Sequence, residues 1–273
     1  MDVTTGAVLP EECIATIISF TSPRDACRAS LVSPIFRSAA GSDLVWERLL
    51  PQDYQQIISE SVSPGPSSSA SLNILSKKDL YFHLCDTPIL IGNGNRSFAI
   101  DKLSGKKCYM LGARELSIIN IGRRITSFWE WISSAEMPVL AQSRFSEVAR
   151  LGLGHWLRIR GRIETQILSP NTKYGAYFTY AIADRNYNLH HPVKLSIRYE
   201  NERNATNAHL LPDTPEGYDG RLPSMREDMW MEIEIGEFFT DQVDSVVEMC
   251  LMDTACDPCK SGLVVHGIEL RPK

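Results

Sequence analysis

The 273 residues of the chain include 28 Lys and Arg and 33 Asp and Glu, which gives a formal net charge of −5 at pH 7, and 43% are hydrophobic. This acidic, ordinary composition argues against a general nucleic-acid binder, and the length predicts two domains. No run of about 18 apolar residues is present to span a membrane. Residues 1–7 lack a basic segment followed by an apolar run, so we expect a protein of the cytoplasm or nucleus.

Residues 9–50 predict a group of short helices. The pairs Ser22-Pro23 and Ser33-Pro34 each place a good N-cap before a proline at the first helical position. Asp43 can cap a last helix, which Pro51 stops. The first helix has one apolar face, formed by Leu9, Cys13, Ile14, Ile17 and Ile18.

Such a helical group has more apolar surface than it can bury by itself. Helices of roughly ten residues are marginal in water, and a unit of roughly 45 residues rarely builds a sufficient core. The apolar surface that remains exposed therefore favours a docking interface on these helices. On periodicity alone, the helical start of an ordinary globular domain explains the same pattern.

The next segment changes composition. Residues 60–72 are rich in Ser, Pro and Gly, with Val62 the only large apolar residue before Leu72, which predicts a flexible linker or loop. Residues 76–85 then predict one short capped helix with Leu80 and Leu84 facing inward.

From about residue 97 the apolar period becomes two. Alternation is clearest over residues 193–199 and 231–235, and further apolar runs cover residues 174–183, 247–251 and 263–270. Many strands with long loops and little helical pattern predict an antiparallel sandwich or jelly roll. The seven cysteines are odd in number and irregularly spaced, so we interpret them as reduced thiols.

The helical segment resembles an F-box. The matching features, in order, are Leu9-Pro10, the Ser-Pro-x-Asp at residues 22–25, Leu31-Val32-Ser33 and Trp46. This resemblance implies binding to a Skp-type adaptor, which bridges to a cullin–RING ubiquitin ligase. The adaptor contacts that it implies are Leu9, Pro10, Ile14, Ile17, Leu31, Val32 and Trp46.

The span from residue 97 to residue 273 is similar to the phloem protein 2 family, whose lectin members include the tobacco agglutinin Nictaba. The matching segments are GKKCYM (105–110), ARELSI (113–118), FWEW (128–131), GRIET (161–165), WMEIEIGEFF (230–239) and GIELRP (267–272). The resemblance implies a β-sandwich and, in some members, binding to N-acetylglucosamine oligomers or N-glycan cores. An F-box followed by this domain is a known plant arrangement.

In the lectins, a pair of tryptophans supports sugar binding. The second matches Trp129, whereas the first falls on Ile119-Asn120, where an aromatic platform is lost and Asn120 offers only hydrogen bonds. Trp131, two residues after Trp129, shares a strand face with it. Asn120, Trp129 and Trp131 are therefore the candidate carbohydrate- or target-binding residues. Core packing is the alternative for the two tryptophans, and a protein-binding version of the surface is the alternative to a sugar site.

Two further patterns leave alternatives open. Cys256 and Cys259 form a lone Cys-x-x-Cys, which lacks the four ligands of a zinc site and is more typical of a polar loop with two thiols. Arg158, Arg160 and Arg162 form a basic row along one strand face, suited to phosphate or an acidic partner, or else simply solvated. No catalytic motif is present, and we expect no catalytic residues, metal or cofactor.

These observations predict an α+β chain of two domains. A small all-α F-box over residues 1–54 is followed by a linker with a short helix over 55–96 and an antiparallel, jelly-roll-like β-sandwich lectin domain over 97–273. The expected function is the substrate receptor of a Skp–cullin–F-box ubiquitin ligase, without catalysis of its own. Its expected partners are the adaptor, a cullin and a target protein or its N-glycan, with no nucleic acid or membrane. The alternative is a soluble carbohydrate-binding lectin that acts without a ligase.

Overall fold

The computed structural model describes residues 9–118, 128–134, 143–154, 156–200, 202–212, 219–241, 244–253 and 259–273. The chain forms two compact units. Unit 1 comprises Met1–Ile89 with Ala99–Lys107, and unit 2 comprises Leu90–Phe98 with Cys108–Lys273. The predicted α+β class, with a helical region followed by antiparallel sheets, is confirmed.

Unit 1 is helical. Its helices are α1 Glu11–Ile18, α2 Pro23–Ala29, α3 Pro34–Gly41, α4 Asp43–Leu49, α5 Tyr54–Ser59, α6 Ser69–Leu72 and α7 Lys77–Asp86. The side chains of Ser22 and Ser33 accept hydrogen bonds from the backbone N–H groups of Asp25 and Phe36, so both predicted caps form. Ser42 rather than Asp43 caps α4.

The core of unit 1 is built around Trp46 of α4. Trp46 is 1% exposed, and its indole N–H donates to the carbonyl of Ala40 at 2.7 Å. The rings of Tyr81 and Phe82 from α7 lie 5.1 Å from the Trp46 ring. Because α7 covers this side chain, the core of the helical unit extends beyond the four helices around which the sequence pattern is centred.

The segment predicted as a linker with one short helix has more structure than that prediction gives it. Residues 54–59 and 69–72 are helical, and Ser63, Ser67 and Leu72 are buried. The Ser67 hydroxyl lies 3.1 Å from the Nε2 atom of His83 in α7. Small hydroxyl side chains fit close to other chain segments and cap helices, so a serine-rich composition is compatible with an ordered segment here.

The rest of the chain is dominated by strands. They are β1 Ile89–Ile91, β2 Arg96–Ile100, β3 Lys107–Gly112, β4 Ser117–Ile118, β5 Phe128–Ser133, β6 Glu147–Leu153, β7 Arg158–Glu164, β8 Thr172–Tyr187, β9 Val193–Tyr199, β10 Glu202–Ala208, β11 Ser224–Met225, β12 Met231–Thr240, β13 Val246–Asp253 and β14 Ser261–Pro272. Within the described residues they form two sheets. One has the order β1-β2-β3-β14-β8-β12-β11 with β6 and β5 joined beside β14, and the other has the order β10-β9-β13-β7-β4.

The two sheets pack face to face in unit 2. A Cβ atom added to Gly236 of β12 would lie 2.6 Å from the side chain of Ile197 in β9, and one added to Gly161 of β7 would lie 2.9 Å from Ile268 in β14. A side chain at either position would force the facing isoleucine to shift, so the two glycines allow the layers to approach closely. The arrangement confirms the predicted antiparallel sandwich.

Among the described residues, no helix combines the length and apolar character needed to cross a bilayer.

Candidate functional site

Most of the residues predicted to contact an adaptor are exposed on unit 1. Leu9 is 53% exposed, Ile17 57%, Leu31 77% and Val32 67%, and Pro10 is exposed beside Leu9. Large apolar side chains at such exposure favour a surface that is covered by a partner.

Two of the residues predicted to contact an adaptor are buried, unlike those described above. Ile14 is 4% exposed and Trp46 is 1% exposed, so both side chains are part of the core of unit 1. Helical spacing alone cannot distinguish the inner from the outer edge of a wide apolar stripe. In this structure both side chains are buried and are not part of the exposed surface.

Sequence reasoning missed two exposed apolar residues of the same unit. Phe20 is 66% exposed and Leu44 is 51% exposed. The guanidinium of Arg48 lies over the Phe20 ring, 3.8 Å from its centroid. The spacing of Phe20, three residues after the exposed Ile17, is the signal that could have identified it. We call Leu9, Ile17, Phe20, Leu31, Val32 and Leu44 the exposed apolar set.

In unit 2, the two predicted tryptophans lie on β5. Trp129 is opposite Leu151 of β6, and Trp131 is opposite Ala149. Residues two apart on a strand project to the same face, so the structure brings the two tryptophans together as the sequence predicted. Asn120 lies outside the described residues.

The environment of Trp131 limits its use as a sugar platform. Trp131 is 37% exposed, and the guanidinium of Arg114 is stacked 3.7 Å from its ring centroid. Arg114 is held there by two 2.9 Å hydrogen bonds to the Glu147 carboxylate. These bonds lower the pKa of Glu147. One face of the Trp131 ring is therefore already occupied by a cation.

A mixed polar and aromatic concavity lies elsewhere on unit 2, with a volume of about 480 Å³. Phe239 at its edge is 53% exposed. The Glu237 carboxylate accepts hydrogen bonds from Lys173 and Lys273, which hold its pKa at about 2. The other lining residues include Asn204, Thr206, Arg221 and Phe238. Sequence reasoning did not find this concavity, because its walls come from strands far apart in the chain.

The described residues contain no group of three His, Cys, Asp or Glu side chains placed to hold a metal ion. Cys259 is a free thiol, and Cys256 lies outside the described residues.

Comparisons with known proteins agree with both regions. A family model described as F-box-like matches residues 7–52, and one described as phloem protein 2 matches residues 106–272. The putative F-box protein PP2-B12 of Arabidopsis thaliana is 40% identical, covering 97% of this chain and 97% of its own length. The F-box protein VBF of the same plant is 39% identical, covering 97% of this chain and 99% of its own.

Proposed function

Because this chain belongs to the phloem protein 2 family and carries an F-box-like region ahead of that domain, we propose that it is the substrate receptor of a Skp–cullin–F-box ubiquitin ligase. The observation that carries the proposal is the exposed apolar set, which lies within the region matched as F-box-like. Burial of this set by a Skp-type adaptor would remove apolar surface from water.

In this role the chain itself does no chemistry. It holds a target near the ubiquitin carrier of the ligase and so raises the target's effective concentration there. The β-sandwich recognises the target, either through a protein surface or through an N-glycan. The candidates for glycan contact are Trp129 and the exposed part of Trp131, since Arg114 occupies one face of the Trp131 ring.

The experiment is a pull-down of the full-length chain with a purified plant Skp-type adaptor. Leu31→Glu with Val32→Glu places two charges at positions 77% and 67% exposed, which should abolish capture while the melting temperature stays unchanged. Ile74→Glu is the matched control, because Ile74 is 84% exposed and lies outside the matched F-box-like region. It should bind like the wild type.

Equal capture of the wild type and the double variant would contradict the proposed docking surface. Failure of the wild-type chain to bind any adaptor would favour the alternative function, a lectin that acts without a ligase. A glycan array with the full-length chain and its Trp129→Ala variant then tests that alternative, and the glycan form of target recognition with it.

A further inference from the structure

The outer face of the five-stranded sheet has a concentration of positive charge. Strand alternation places six cations on this face: Arg158, Arg160 and Arg162 of β7, Lys194 and Arg198 of β9, and Arg203 of β10. The register joins them across the strands, with Arg203 opposite Arg198 and Glu248 of β13 between Arg198 and Arg162. The basic row seen in the sequence is therefore one edge of a wider surface.

Few carboxylates on this face balance those charges. Glu248 contacts Arg162 at 2.7 Å, Arg198 at 3.3 Å and Arg160 at 3.6 Å. Glu164, at the end of β7, is the other acidic side chain that the described strands place here. Since the whole chain has a net charge of −5, this excess of cations runs against its overall composition.

Part of this face is concave. A cleft of about 230 Å³ is lined by Arg158, Arg160, Ser196, Arg198, Arg203, Glu248, Cys250 and Met252. We call it the arginine cleft. Its volume is below the 300–1,000 Å³ or so that is usual for pockets enclosing a whole small ligand. It therefore suits one charged group of a larger partner.

The cleft also has hydrogen-bond donors without acceptors. The Nε atoms of Arg158 and Arg160 are shielded from solvent and have no hydrogen-bond partner among the described residues. The Nε atom of Arg160 lies 3.6 Å from the Glu248 carboxylate, which is beyond hydrogen-bond distance. Buried donors of this kind are uncommon because each costs stability, and oxygens of a bound anion can satisfy them.

We propose that the arginine cleft binds the phosphate group of a phosphorylated serine or threonine in a target protein, a reading that rests on the proposed receptor function. A phosphate monoester has a charge of about −1.5 to −2 at neutral pH and three acceptor oxygens. The planar guanidinium pairs with such oxygens in a bidentate manner, and four of the cleft's lining residues are arginines. The net charge of −5 opposes nucleic acid or an anionic membrane as the partner.

The test measures binding of the full-length chain to fluorescent peptides with a central phosphoserine and randomised flanks, with the unphosphorylated pool beside it. The wild type should bind the phosphorylated pool selectively, and inorganic phosphate should compete. Arg158→Gln with Arg203→Gln should weaken binding about tenfold or more, since a charge-assisted hydrogen bond contributes roughly that factor.

The matched control is Arg24→Gln with Arg185→Gln, which removes two exposed arginines outside the cleft. Either double variant changes the net charge from −5 to −7, because each loses two cations. Equal loss in both variants, or no preference for the phosphorylated pool, would overturn the proposal. Adaptor capture, measured on the same proteins, separates this proposal from the receptor proposal. If the chain captures the adaptor but the wild type does not bind the phosphorylated pool, only the cleft proposal is wrong.

Discussion

At the residue scale, His266 of β14 is an ionisable group held in an apolar setting. It is 1% exposed and stacked on Trp230 with 4.2 Å between ring centroids. Neither ring nitrogen has a hydrogen-bond partner among the described residues. Burial lowers its pKa well below the usual 6.5, and the charges of Arg144 and Arg226 lower it further. The folded chain therefore holds this imidazole neutral.

This environment makes stability depend on pH with a definite sign. Below pH 6.5 His266 becomes protonated in the unfolded chain but stays neutral in the folded chain. The free energy of unfolding is therefore highest above that pH and decreases as the pH falls below it. One such group contributes a slope of up to about 1.4 kcal/mol per pH unit. His266→Phe, which keeps a ring against Trp230, should flatten the slope of urea-unfolding free energies between pH 7.5 and 5.5.

The control is His190→Phe, because His190 is exposed and should leave the pH slope of the wild type unchanged. An identical slope in wild type and His266→Phe would show that this imidazole is not responsible.

At the scale of elements, a buried ion pair links the end of β13 to the residue just before β14. Lys260 and Asp253 lie 3.1 Å apart, with side chains 3% and 1% exposed. Asp253 also accepts a hydrogen bond from the backbone N–H of Leu157, just before β7, at 2.9 Å. Burial raises the pKa of Asp253, against the opposing effect of Lys260. The pair thus holds together strand ends from one sheet and from the other.

Removing one member of this pair should be costly. Lys260→Met leaves the Asp253 carboxylate buried without its cation, and the loss of one partner in a buried pair costs about 3–5 kcal/mol. Lys194→Met, at an exposed position of β9, should change stability by less than about 0.5 kcal/mol. Chemical denaturation of the full-length chain measures both. A change in Lys260→Met as small as in the control would mean that the pair adds no stability.

The same scale shows which elements could be predicted from sequence. The caps of α2 and α3 and the alternation of β9 and β12 are local signals, and the structure has these elements where the sequence places them. The sequence of β10, ERNATNA, has no apolar alternation, so it predicts no strand. Its Arg203 reaches the arginine cleft only through pairing with β9. The basic row of β7 can be recognised in the sequence. The arginine cleft cannot, because it depends on the pairing register of β7, β13, β9 and β10, and no local sequence pattern specifies that register.

At the scale of the whole molecule, the core of unit 1 extends beyond the region matched as F-box-like. The F-box-like match ends at residue 52, yet the core residue Trp46 is covered by Tyr81 and Phe82 of α7. Contacts between residues so distant in sequence cannot be predicted from helical spacing. We therefore expect the folded form of the F-box-like helices to depend on the segment that follows them. This dependence offers a test in which stability and partner contact can be separated.

Tyr81→Ala is the variant that performs this test. Tyr81 is 0% exposed, so it offers no surface to an adaptor, and its hydroxyl donates to the carbonyls of Asp101 and Lys102 at 3.3 Å. Deleting a buried aromatic ring costs about 3–5 kcal/mol. The variant should therefore lower the melting temperature of unit 1 and weaken adaptor capture at low adaptor concentration. Excess adaptor should restore capture, since a ligand that binds only the folded form stabilises it by mass action.

The control is Tyr187→Ala, at a position 66% exposed, which should change neither the melting temperature nor adaptor capture. Unchanged melting and capture in Tyr81→Ala would show instead that the F-box-like helices fold without α7.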